Sequence, residues 1–183
     1  MATNHAPMEL PEKPIPPAAA RYFITLVTKD HGPWLAVPRT RDAFLAVLRA
    51  WHEGRNGRIL AVSALPDHVH ILMELGSLLT AGQVVSGWKA AVRRATGYAE
   101  TFHENFREHR LAEAEAVEDY GLYMFLAPYR ARLLLAIQTW DGWWAPVADV
   151  FQFPASLNAM GGPPEEWVNW PAARFAGLAG GNR

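Results

Sequence analysis

The chain has 183 residues, 50% of them hydrophobic, a net charge of −1 and no cysteine. That length and apolar content suit one domain with a substantial core, and the lack of thiols excludes disulfides and cysteine-ligated metals. No apolar run reaches the ~18–20 residues of a bilayer span, and Met1 to Ala20 lacks the basic-then-apolar order of a signal peptide. The expectation is a cytoplasmic protein with no membrane partner.

In chain order, residues 1–19 contain Pro7, Pro11, Pro14, Pro16 and Pro17 and read as an extended arm. Tyr22 to Thr28 is rich in β-branched and aromatic residues and reads as the first strand. Thr40 is the expected N-cap of a helix with Phe44, Leu45, Leu48 and Trp51 at helical spacing, ended by the segment Gly54 to Gly57. Two strands follow, Arg58–Leu65 and His68–Leu75, parted by Pro66-Asp67. A second helix over Ala81–Thr96 carries a buried stripe of Val84, Val85, Trp88, Val92 and Ala95, with Lys89 and Arg93 together on its polar side.

Residues 102–111 read as a fourth strand. A third helix is expected from Glu113 to Leu126, stopping before Pro128 because the residue preceding proline resists the α conformation. The segment after Pro146 reads as loop. The order β-α-β-β-α-β plus a helix predicts an α+β fold, a ferredoxin-like sandwich: an antiparallel sheet with helices on one face and an extra C-terminal helix across it. The expected division is an arm at 1–19, a domain at 20–145 and a loop-rich tail at 146–183.

A net charge near zero is unusual for a nucleic-acid binder, but the charges are unevenly placed. Residues 111–126 hold Glu113, Glu115, Glu118 and Asp119 with no lysine or arginine, whereas residues 86–98 hold Lys89, Arg93 and Arg94 with no acid. The basic cluster is either a phosphate-binding face or a solvated helix surface.

The stretch Pro66-Asp67-His68-Val69-His70 places two histidines one residue apart in an apolar strand. Alternation puts His68 and His70 on one face, ~7 Å apart along the strand, with Val69 on the other. Such a pair is either two ligands of one small ion, able to activate a phosphate or a water, or a pair of half-buried packing residues. Downstream, Tyr123 sits in the third helix and is followed by Ala127-Pro128-Tyr129-Arg130-Ala131. Between them lies Phe102-His103-Glu104-Asn105-Phe106-Arg107-Glu108-His109-Arg110-Leu111.

Together these motifs resemble the single-tyrosine HUH transposases, most closely the REP-associated tyrosine transposases, over about residues 20–145. The resemblance implies a single-stranded DNA endonuclease and strand transferase acting in DNA transposition and recombination, at hairpins of repetitive palindromic elements. It implies His68 and His70 as ligands of Mg²⁺ or Mn²⁺ and Tyr123 as the nucleophile of a 5′-phosphotyrosine intermediate, with Tyr120 left to pack. Lys89, Arg93, Arg94 and Arg130 become DNA contacts, and Trp140, Trp143 and Trp144 either stack bases or anchor the core. The family places an asparagine where this chain has Ala127, which offers no ligand. Asp119, Glu108, His109 and Gln138 are the alternatives, and Asp119 could also take the phenolic proton. Two rivals remain: a hairpin-binding protein without cleavage, and a hydrolase in which the histidines and a carboxylate activate water. Both monomer and homodimer stay open.

Overall fold

A computed structural model describes residues 20–178 except 55, 99 and 100, so the expected arm lies outside the described residues. Strand β1 (Ala20–Val27) leads to helix α1 (Pro38–His52), and strands β2 (Gly57–Ala64) and β3 (His68–Leu75) form a hairpin. Helix α2 (Ala81–Thr96), strand β4 (Arg107–Arg110), helix α3 (Val117–Arg130), the short strand β5 (Trp143–Trp144) and helix α4 (Glu165–Val168) follow. The sheet runs β4-β1-β3-β2-β5 with antiparallel neighbours throughout. Its first four strands have the ferredoxin-like order, and β5 extends the β2 edge.

Strands β2 and β3 are buried on both faces, which is why they read as near-continuous apolar runs. Ile24, Leu26, Val69, Ile71 and Met73 pack toward α1 and α2, with Phe44, Leu48, Val84, Val85, Trp88 and Val92 completing that layer. Phe23, Leu60, Ala61 and Leu72 face the other way, into a second core with Tyr120, Met124 and Phe125 of α3. The strand β2 has a bulge: Ile59 pairs with Met73, yet Ala61 pairs with Leu72, so Leu60 is an extra residue.

Helix α2 has the expected bounds, set by a capping box in which Gln83 N donates to Thr80 Oγ1 (3.2 Å) and Thr80 N to Gln83 Oε1 (2.9 Å). Its buried stripe gains Ala81, while Ala95 is exposed. Three helix boundaries differ from the sequence reading, among them the start of α3, at Val117 and not Glu113. Helix α1 begins earlier, at Pro38, whose fixed φ suits the first helical position. Thr40 is therefore inside the first turn, and its hydroxyl donates to the Val37 carbonyl (2.9 Å). Helix α3 runs through Pro128 to Arg130. A proline this close to the end removes one ladder bond, and burial of Tyr129, whose hydroxyl donates to the Gln138 carbonyl (2.7 Å), holds the last turn in place.

Residues 146–178 contain α4 and short 3₁₀ turns, and they pack on the side of α3 that the sheet leaves free. Phe151, Phe153 and Phe175 are buried there. The Glu118 carboxylate accepts from the backbone N–H groups of Gln152 (2.8 Å) and Phe153 (2.7 Å). Gly121 is required at this contact, because any Cβ would overlap the Phe151 ring. Among the described residues no helix is long and apolar enough to cross a membrane.

Candidate active site

Alternation along β3 sends Val69 into the α1/α2 core and turns His68 and His70 toward α3. Their ring centroids are 4.8 Å apart. His70 is buried, stacked on Phe23 (5.3 Å) and tilted against Tyr123 (5.4 Å). Burial, and then the neighbouring His68, push its imidazole down to about 3, so it is neutral at physiological pH.

In both rings the Nδ1 atom is engaged. His70 Nδ1 lies 3.0 Å from Thr25 Oγ1, across the β1–β3 pair. His68 Nδ1 lies 2.7 Å from Asp67 Oδ1, in the turn before β3. With Nδ1 protonated and donating, each ring offers a bare Nε2 lone pair, the arrangement that second-shell oxygens impose on metal-bound histidines. This donor chemistry fits a divalent ion held by the two imidazoles through Nε2. Among the described residues no third histidine, cysteine or carboxylate joins the pair.

Tyr123 comes down from α3 beside them, half-buried, with Phe23 (6.1 Å) and Phe175 (5.7 Å) around its ring. Burial raises its phenol above the usual range, and the Arg130 guanidinium two turns on acts in the opposite direction. His68, His70, Tyr123, Ala127 and Arg130 line one cavity of about 560 Å³. Its far wall is the turn Ala172–Phe175, and Arg130 lies 4.9 Å from the Phe175 ring.

Other residues singled out in the sequence lie elsewhere. Lys89, Arg93 and Arg94 belong to α2, on the opposite face of the sheet from the histidines. Lys89 is committed to structure: its Nζ donates to the carbonyls of His103 (2.5 Å) and Glu104 (2.8 Å), and burial, followed by Arg93, lowers its pKa. Arg93 and Arg94 are exposed beside the exposed Tyr98.

None of the replacements considered for the family's asparagine reaches the histidines. His109 Nε2 is bonded to Glu115 (2.8 Å), whose carboxylate also accepts from the Tyr120 hydroxyl. That bond and the Ala112 N–H hold Glu115 down to about 2. Gln138 Oε1 accepts from Leu135 N (2.8 Å). Asp119 is exposed, and its charge adds to the upward shift of Tyr120. Glu108 is exposed on the edge strand β4.

Trp140, Trp143 and Trp144 are half-buried and make packing contacts. Trp140 Nε1 donates to the Ala64 carbonyl (3.1 Å), Trp143 packs edge-on against Phe125 (5.3 Å) and Trp144 lies under Arg49 (5.5 Å).

The sequence reading missed Thr25, Asp67 and Phe175. The first two carried a signal, a threonine in register with the histidine strand and an acid adjoining the first histidine. Phe175 carried none, because only tertiary packing brings it to the cavity.

Neither a family profile nor a curated protein matches the sequence. Among solved structures, the chain is similar to a REP-associated tyrosine transposase bound to a REP hairpin. The identity is 18%, over 90% of this chain and 92% of the other, with a TM-score of 0.60. It is also similar to a protein described as a transposase from Deinococcus radiodurans R1, at 18% identity over 58% of this chain and 88% of the other, with a TM-score of 0.46. The first likeness establishes a shared fold over nearly the whole of both chains, in agreement with the motif resemblance.

Proposed function

We propose that the chain is a transposase-like, metal-dependent endonuclease and strand transferase that acts on single-stranded or hairpin DNA through a phosphotyrosine intermediate. The observation that carries this reading is the convergence of His68, His70, Tyr123 and Arg130 on one cavity. It is supported by a fold shared with a protein solved in complex with a DNA hairpin.

A divalent ion on the two Nε2 atoms would polarise the scissile phosphate, as bound metals do in phosphoryl transfer. The remaining work falls to the chain. Phe23 and Phe175 hold the Tyr123 ring. The Tyr123 oxygen forms a bond to phosphorus as the phosphorus–O3′ bond breaks, leaving a 5′-phosphotyrosyl end and a free 3′-hydroxyl. The phenolic proton is lost to solvent and the departing 3′-oxygen takes one up. Arg130 sits where it can favour phenolate and pair with phosphate. The new ester retains the energy of the phosphodiester, so a second 3′-hydroxyl can reverse the step without a nucleotide cofactor.

The test is covalent capture of labelled hairpin DNA in Mn²⁺, read on a denaturing gel. Wild type should give an adduct, Tyr123→Phe none, and Tyr120→Phe nearly the wild-type amount, since the Tyr120 hydroxyl is occupied by Glu115. Adduct with Tyr123→Phe but not with Tyr120→Phe would reverse the assignment. A second reading, hairpin binding without cleavage, is favoured by Ala127 on the cavity wall. It predicts no adduct from wild type and a clear one from Ala127→Asn.

A further inference from the structure

Resting on that reading, we infer that the divalent ion and the DNA phosphate bind this cavity as a thermodynamically coupled pair, with Arg130 and Ala127 setting the size of the coupling. The polar side chains lining the cavity are His68, His70, Tyr123 and Arg130. Among the described residues no carboxylate or amide stands with them, and the acids nearby in sequence are engaged or exposed. Asp67 is bonded to His68 Nδ1, Glu115 to His109 and Tyr120, and Asp119 is exposed.

Among the described residues, an ion entering alone therefore meets two imidazole nitrogens, no carboxylate lining the cavity and a guanidinium on the same wall. Hard divalent ions favour oxygen ligands, and charge repulsion from Arg130 opposes entry. A phosphodiester changes both conditions. Its oxygens can complete the donor set, and its negative charge offsets Arg130. The converse also holds: DNA without the ion finds a single guanidinium at this spot, while DNA with the ion finds a cation pair. Each ligand improves the site for the other, and linkage makes the two gains equal.

The geometry assigns related effects to two wall positions. Replacing Arg130 with glutamine removes the repulsion, so the free protein should bind ion more tightly while its DNA-dependent gain shrinks. Replacing Ala127 with asparagine adds a protein oxygen, so it too should tighten ion binding without DNA and reduce the dependence on DNA.

Mn²⁺ titration followed by electron paramagnetic resonance tests this directly. The protein carries Tyr123→Phe so that no covalent step intervenes, and the DNA is a hairpin oligonucleotide with a single-stranded flank. The same protein with His68→Ala and His70→Ala gives the baseline for ion bound by DNA alone. Saturating DNA should lower the His-dependent Mn²⁺ Kd at least about tenfold. Saturating Mn²⁺ should lower the DNA Kd by the same factor, and both wall variants should reduce it. His-dependent Mn²⁺ binding of equal affinity with and without DNA would overturn the coupling and leave the nuclease reading standing. No His-dependent Mn²⁺ binding in either state would overturn both.

Discussion

His70 illustrates how one buried side chain ties stability to pH. Its folded value of about 3 lies below the ordinary 6.5, so the unfolded chain binds the proton more tightly. The neutral ring's contribution is intact above pH 6.5 and is lost progressively as pH falls toward 3. Each pH unit in that window costs up to about 1.4 kcal/mol. His70→Gln should flatten that segment of a plot of urea midpoint against pH, and parallel curves for variant and wild type would refute the account. Tyr123 gives a kinetic counterpart. Its phenol lies above the usual range, so the phenolate fraction should rise about tenfold per pH unit between roughly pH 7 and 9. Adduct formation should climb with pH over that range without a plateau. Arg130→Gln should slow it on the order of a hundredfold, with Arg130→Lys recovering part of the loss. The shared face of His68 and His70 was legible in the sequence because side chains alternate along a strand, whereas Tyr123 and Arg130 were singled out by the motif resemblance. Thr25 and Asp67 were not singled out, since their value depends on which ring nitrogen they occupy.

Among the elements, α3 joins chemistry to architecture: one side brings Tyr123 to the histidines and another receives the C-terminal segment. Gly121 lies at the second contact. Alanine is the better helix former, yet Gly121→Ala should destabilise the fold by about 1–3 kcal/mol in urea unfolding, because Phe151 must move. In α2 the basic residues separate by role. Lys89→Met should lower stability by about 1–2 kcal/mol, because two carbonyls lose their donor, and leave the salt dependence of DNA binding unchanged. Alanine at Arg93 and Arg94 should leave stability alone and lower the salt slope of binding by about one for each phosphate no longer paired. Sequence periodicity placed α2 to the residue, since capping chemistry is local. The start of α1 is set by Pro38, and the passage of α3 through Pro128 is held by the burial of Tyr129 and its bond to the Gln138 carbonyl, which hydrophobic periodicity does not register.

For the whole molecule, the sheet separates the histidine cavity from the exposed arginines of α2. One DNA molecule that meets both must pass around an edge of the sheet. Shortening the hairpin stem should therefore abolish the effect of the Arg93 and Arg94 substitutions on affinity while adduct formation at Tyr123 persists. Equal effects on long and short stems would place both contacts on one side. The ferredoxin-like order was readable because two strand-and-helix units flank a tight β2–β3 connection at Pro66-Asp67, and each element carries its own period. The packing of residues 146–178 was not, because prolines, glycines and scattered aromatics carry no period. Its cohesion comes from the Phe151, Phe153 and Phe175 rings meeting α3 in three dimensions.

The bulge at Leu60 sits in the sheet like a spare letter in a reading frame. Before it, Ile59 lies opposite Met73; after it, Val62 lies opposite Ile71 and Ser63 opposite His70. Without Leu60, Ile59 and Ala61 would become neighbours, and they already face the neighbours Met73 and Leu72. The downstream frame would therefore survive that deletion, at the cost of one buried side chain. Strand β3 has no such slack, because each of its residues from His68 to Leu75 meets the next of β1 in unbroken succession. Deleting Val69 there would make His68 and His70 adjacent and turn them to opposite faces. The pair would be dissolved with both histidines and the tyrosine still in the chain.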